Sequence, residues 1–295
     1  MTRAVFIGEC MVELAVRPDG AYVRNFAGDA YNAAVHVKRS APDIEVQFAT
    51  VTGDDDLSAA MRAAWRAEGI DGSLAPAVTG LQPGLYIVDH DASGERRMAY
   101  WRGQSAAKRW FSTIGADRFA GADLLFLTGV SLAILPPADR AGALALMDRP
   151  GVTAFDPNVR MALWESEGAM RAAIEAAMTR ADILLPSADD LDVLWGAANP
   201  AEHLRHCLDF GAGEVALTLG AEGCLVARAG EPPLQVPAPP AKVVDTAGAG
   251  DAFDGVYLAA RLKGQSPEAA AQAGMALAAW VVGRAGALPN KEPRP

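Results

Sequence analysis

Two rhythms of apolar and polar positions divide the chain. From Ala122 onward, short apolar runs alternate with segments whose apolar residues recur every three to four positions. The runs "DLLFLTG", "VTAFD", "DILLP", "EVALTLG" and "CLVAR" predict strands. Between them, "PADRAGALALM", "AMRAAIEAAMTRA", the stretch around "DDLDVLWG" and "AEHLRHCLDFG" predict helices, and two more helices follow Gly248. Such alternation is the mark of a doubly wound, mostly parallel sheet with helices on both faces. Near the start, "AVFIG" and "VQFATVTG" read as strands of the same sheet, and "YNAAVHVKRSA" and "LSAAMRAAWRAEG" as helices.

The second rhythm has a period of two. "CMVELAVRPDGAYVRNFAG" alternates about a Pro-Asp-Gly turn, and "GLYIVDHDASGERRMAYWRG" alternates about Asp-Ala-Ser-Gly. Each predicts a hairpin outside the βα alternation. Together they predict a small separate sheet, inserted in two pieces close to the first strands, and the length alone fits one large α/β domain or two smaller ones. The Pro-rich "EPPLQVPAPPAK" is expected to connect strand to strand.

Composition narrows the function classes. The 295 residues are 51% hydrophobic and 21% charged, ordinary for a globular chain, and the net charge of −10 disfavours nucleic acid and anionic membranes as partners. No run of about 18 apolar residues suggests a membrane span, and "MTRAVFIGEC" is too short an apolar run for a signal peptide. Cys10, Cys207 and Cys224 are scattered and lack metal spacing, as expected of a cytoplasmic protein without disulfides.

The chemistry concentrates in "DTAGAGDAF", Asp245 to Phe253. Small residues from Ala247 to Gly250 leave backbone N–H groups open to a ligand, and the helix that follows adds unpaired N–H groups and a positive dipole end. That is a cradle for phosphate. Asp251 inside it would repel the anion, so it either accepts a proton from a hydroxyl nucleophile or caps the helix. A dinucleotide fingerprint fails because Phe253 stands where the third glycine belongs, and no Walker-type P-loop occurs. His203, His206 and Cys207 share a helix with no further ligand, and Trp65, Trp195 and Trp280 fall in apolar helical patterns, which predicts packing.

"DTAGAGDAF" resembles the D-T-x-G-A-G-D signature of the ribokinase-like (PfkB) carbohydrate kinases. "IGECMVEL", "GDAYNAAVHVKR", "YWRGQSAAK", "GVSLAIL", "FDPNVRMALW" and "TLGAEGCLV" extend the likeness over nearly the whole chain, and are most similar to the branch acting on 2-keto-3-deoxygluconate. The resemblance implies one three-layer α/β/α domain over residues 1–295 with a β-sheet lid from residues 10–26 and 84–103, and phosphorylation of 2-dehydro-3-deoxy-D-gluconate to its 6-phosphate with ATP and Mg²⁺. It implies Asp251 as base and the amides of Ala247, Gly248, Ala249 and Gly250 as anion hole. Gly28, Asp29, Asn32, Tyr86, Tyr100, Arg102 and Arg160 are implied on the acid sugar. Ser187, Thr218, Gly220, Gly223, Gly248 and Gly250 are implied on the nucleotide, and Asp190 on the metal through water. Three positions depart from the family pattern: Ala27 for a glycine, Ser187-Ala188-Asp189-Asp190 for N-x-x-E, and Asp254 for a small or neutral residue, here expected to face solvent.

The residues support an acidic substrate. A guanidinium grips a carboxylate through a planar pair of hydrogen bonds, and strand alternation sets Tyr100 and Arg102 on one face with Trp101 opposite. Other readings keep the fold and change the function: an epimeric keto-deoxy acid or fructose as substrate, or a non-catalytic sugar- or nucleotide-binding protein. The edges of the lid are expected to invite a homo-oligomer.

Overall fold

Strand β1 (Arg3–Ile7) shows how the main sheet is built. Val5 and Ile7 face one hydrophobic cluster while Ala4 and Phe6 face another, and all four are fully buried. A strand covered on both faces has no polar face, which is why it reads as a continuous apolar run. The computed structural model describes residues 2–17, 19–90, 96–149 and 151–289; the Asp-Ala-Ser-Gly turn expected at 91–94 lies outside them.

After β1 come β2 (Met11–Val16), β3 (Tyr22–Ala27), α1 (Asp29–Ser40), β4 (Glu45–Ala49), α2 (Asp56–Ala67), β5 (Leu85–His90) and β6 (Arg96–Trp101). The alternating part runs α3 (Trp110–Thr113), β7 (Leu124–Thr128), α4 (Gly129–Ala133), α5 (Pro137–Ala145), β8 (Val152–Asp156), α6 (Glu167–Met178) and β9 (Ile183–Leu184). It ends with α7 (Ala188–Trp195), α8 (Pro200–Asp209), β10 (Glu214–Thr218), β11 (Cys224–Arg228), β12 (Leu234–Val236), α9 (Ala249–Leu262) and α10 (Pro267–Val282).

The main sheet has the order β12-β11-β10-β9-β8-β7-β1-β4, parallel from β4 to β10 and antiparallel at β11 and β12. Residues of α1, α2, α9 and α10 build the core on one face, and residues of α3 to α8 build it on the other. This is the expected three-layer α/β/α fold. One expectation needs correction: "EPPLQVPAPPAK" does not merely join two strands. It contains the edge strand β12 and then leads to α9; Pro is tolerated there because an edge strand needs fewer ladder donors.

The two early hairpins form one four-stranded sheet, order β3-β2-β5-β6, joined through a parallel β2–β5 pair. Register assigns its faces. Val12, Leu14, Phe26 and Leu85 pack toward the main core. On the opposite face, Val23, Val88, Met98 and Tyr100 follow one another across the strands.

Candidate active site

The site begins where the chain enters α9. Asp245 ties this turn down: one carboxylate oxygen accepts from the amide of Ala247 at 3.0 Å, the other from Gly286 at 2.9 Å. Gly248 caps the helix at φ 72°, and a Cβ there would lie 2.7 Å from the backbone of Ala287. Only glycine fits such a turn. Thr246 to Asp251 then line a cavity of about 610 Å³, with the first N–H groups of the helix at its wall.

Asp251 sits in the first turn of α9, and Asn32 Nδ2 from α1 donates to its Oδ2 at 2.7 Å. Burial, then the nearby charge of Asp29, raise the Asp251 carboxyl from 3.8 to about 7, while Asn32 and Arg160 pull it back. A carboxyl poised near neutrality suits proton acceptance. Gly28 lets α1 start hard against the β1–β2 link, since a Cβ there would fall 2.0 Å from the carbonyl oxygen of Glu9. Asp29 follows, its Oδ2 accepting from Thr128 Oγ1 at 2.6 Å and Asn158 Nδ2 at 3.0 Å. Asn158 adopts φ 32°, and its amide donates to Asp156 at 2.9 Å.

Asp254 does not face solvent as expected. It is 3% exposed, lines the cavity and meets Asp156, which is 9% exposed. Burial and then Asp156 push Asp254 well above the carboxylate range; burial and then Asp190 do the same to Asp156. The physical reason is position. Residues three apart on a helix share a face, so the turn that aims Asp251 at the cavity aims Asp254 there too.

Two arginines line the same cavity. Tyr100 and Arg102 both line the cavity, with the guanidinium 6.0 Å from the Tyr100 ring, while Trp101 is exposed on the other face. Arg102 Nη2 donates to Oε2 of the buried Glu9. Arg160 lines the cavity with a mostly exposed side chain, 3.6 Å from Asp190. Asp190 accepts from the amide of Val159 at 2.9 Å and from Ser187 Oγ at 2.8 Å, and Ser187 caps α7. Ser187 and Thr218 line the cavity from neighbouring positions joined by a parallel bridge.

Some candidates lie outside the cavity lining. Asn32 stands behind Asp251. Tyr86 stacks on Tyr100 at 5.5 Å and donates to Glu13 Oε2 at 2.5 Å. Gly220 and Gly223 occupy the turn between β10 and β11, where Gly223 abuts the backbone of β12. Glu9, Asp156 and Asn158 line the cavity but were missed. "GEC" and "FDPN" were noticed as patterns, yet nothing in the spacing shows which polar residue turns inward.

His203 bonds Asp192 at 2.7 Å, and Trp195, His206 and Phe210 pack against one another, which accounts for these residues as packing. Among the described residues no cluster of three or more His, Cys, Asp and Glu side chains is arranged to hold a metal ion, and no helix is long and apolar enough to cross a membrane.

The family model described as pfkB family carbohydrate kinase matches residues 1–293. The 2-dehydro-3-deoxygluconokinase of Dickeya dadantii (strain 3937) is 39% identical, covering 98% of this chain and 97% of its own. That of Escherichia coli (strain K12) is 38% identical with the same coverage. Among solved structures, the PfkB protein of Polaromonas sp. JS666 superposes with a TM-score of 0.85 at 29% identity, covering 95% of each chain. Fructokinase from Vibrio cholerae O395 in a fructose-, ADP- and calcium-bound form superposes with a TM-score of 0.84 at 26% identity, over 97% of this chain and 94% of that one.

Proposed function

The chain belongs to the pfkB family of carbohydrate kinases, and we propose that it uses ATP to phosphorylate 2-dehydro-3-deoxy-D-gluconate at its terminal hydroxyl, giving the 6-phosphate. The observation that carries this reading is one cavity lined by Arg102, Arg160, Asp251 and the mouth of α9 together. Glu9, Asp29, Asp156, Asp190 and Asp254 line the same cavity. An acidic sugar is repelled everywhere except at the arginines, so its carboxylate goes there and its far hydroxyl reaches Asp251. The names of the relatives at 38–39% identity agree.

Asp251 accepts the hydroxyl proton as the nucleophile attacks. The amides of Ala247 to Gly250 and the dipole of α9 stabilise the charge on the transferring group. Ser187 and Thr218 flank the nucleotide end, with Gly220 and Gly223 shaping the turn beyond it. Mg²⁺ fits the donor chemistry, because a hydrated divalent cation needs one or two carboxylates beside the phosphates, and Asp190 supplies one while Asp156 and Asp254 are crowded. Bound with the nucleotide it would neutralise phosphate charge, and Asp190 would hold it through water.

The same proposal takes the small sheet as a lid and as the contact between two copies of the chain. Support comes from Val23 and Met98, exposed apolar residues on the cavity-side face of that sheet. Three free, buried cysteines fit a reducing cytoplasm.

A coupled assay with ATP and a panel of acidic and neutral sugars tests the reading. The expected outcome is a kcat/KM for the keto-deoxy acid at least ~10-fold above that for fructose, the scale of one charged hydrogen bond. Equal efficiency would overturn the acid-sugar assignment. Absence of ATP turnover with every sugar of the panel would overturn kinase activity.

A further inference from the structure

The two arginines of the cavity are held very differently. Arg160 is 59% exposed in its side chain and reaches Asp190 only at 3.6 Å. Arg102 is 15% exposed and bonds a carboxylate that is itself 1% exposed. That carboxylate belongs to Glu9, in the link between the last residue of β1 and the first of β2, where the main sheet hands the chain to the small one. Glu9 has little freedom to move. The start of α1 presses on its backbone at Gly28, and a Cβ on Gly84 would come within 2.6 Å of its Oε1.

A long arginine side chain loses rotamer freedom when it grips a ligand, and a fixed partner removes that cost beforehand. Glu9 occupies Nη2 of Arg102, and a guanidinium has five N–H donors, so donors remain for a second carboxylate. We infer that Glu9 is a positioning residue that fixes Arg102 at the cavity wall with its remaining donors preset for the substrate carboxylate, so that the Glu9–Arg102 pair determines the preference for acidic sugars. This rests on the proposed role of Arg102 in binding that carboxylate. Arg160, which donates to the carbonyl of Val159 at 2.7 Å but has no buried carboxylate partner, contributes charge more than geometry.

The test is a double-mutant cycle of Glu9→Ala and Arg102→Ala, read as KM and kcat for the keto-deoxy acid and for fructose, with folding checked by circular dichroism. Arg102→Ala is expected to raise the acid-sugar KM about 10- to 150-fold, the scale of a lost charged hydrogen bond. Glu9→Ala in the wild-type background is expected to raise it about 10-fold with kcat changed less than about 3-fold, and to add less than about 2-fold once Arg102 is gone. Glu9→Gln, which keeps an acceptor for Nη2, is expected to recover part of the loss, and fructose kinetics to change little in every variant. An equal effect of Glu9→Ala in both backgrounds would show that Glu9 serves the link alone and would overturn the inference. An unchanged acid-sugar KM in Arg102→Ala would instead remove the role of Arg102, and the positioning role with it. If Glu9→Ala does not fold, the cycle is run with Glu9→Gln: about a 3-fold rise in KM confined to the Arg102 background supports the inference, and equal effects overturn it.

Discussion

Asp251 is half-buried near the charge of Asp29, in an environment that keeps its carboxyl at about 7. As a base it must be ionised, so kcat/KM is expected to rise through an acid limb at about pH 7. Asn32 lowers that limb by bonding the charged form, and Asn32→Leu should move it to higher pH. Asp251→Asn should lower kcat by about 10²–10⁴-fold, and a near-normal rate would leave Asp251 as a mere cap. The same substitution has a stability signature. A carboxyl raised from 3.8 to about 7 on folding takes stability away as pH rises through that interval. The gain in melting temperature of Asp251→Asn over wild type should therefore grow between pH 4 and 7 and then level off. A gain independent of pH would contradict the raised value.

At the level of elements, the mouth of α9 divides its glycines by function. Gly248 has φ 72° and meets the backbone of Ala287, whereas a Cβ on Gly250 would meet no atom within 4 Å outside its own turn of α9. Gly250→Val therefore clashes with no other element, and its side chain enters the cavity that the proposed phosphoryl group needs. We expect Gly250→Val to keep the wild-type melting temperature and lose kinase activity, as read by calorimetry and the coupled assay. Gly248→Ala should cost about 2 kcal/mol or more of stability through left-handed strain and the backbone contact. An active Gly250→Val enzyme would show that these residues form a connector and not an anion site. The elements themselves were largely legible because each carried its own period: β1 as a run buried on both faces, α2 as a helix closed by Gly69, the hairpins by alternation. The edge strand β12 was not, since three residues among prolines have too little pattern to register.

For the whole molecule, the small sheet sets the arrangement. One face packs on the main core, and the other runs from the cavity rim at Tyr100 out to Met98 and Val23. If a second copy covers that outer part, light scattering should give a dimer and Val23→Glu should shift it toward monomer, because a charge would be buried without a partner. A wild-type monomer across the micromolar range would overturn the pairing. Val23 lies on β3, away from the cavity lining, so monomerisation is read separately from direct damage to the site.

Local periodicity determined the layer architecture, and local chemistry determined the glycine-rich mouth with Asp251, because both depend on neighbours a few residues apart. The placing of Tyr100 and Arg102 on one face followed from strand alternation alone. What only the tertiary structure decided were the meetings across long separations. Asn32 reaches Asp251 over 219 positions, and Glu9 reaches Arg102 over 93. Asp254 looked like a solvated charge because an isolated helix has no inside; packing α9 against α1 turned that face inward, toward Asp156 at the end of β8. Burial and the sign of neighbouring charges are properties of the assembled cavity, and those two quantities give its carboxyls and arginines their chemistry.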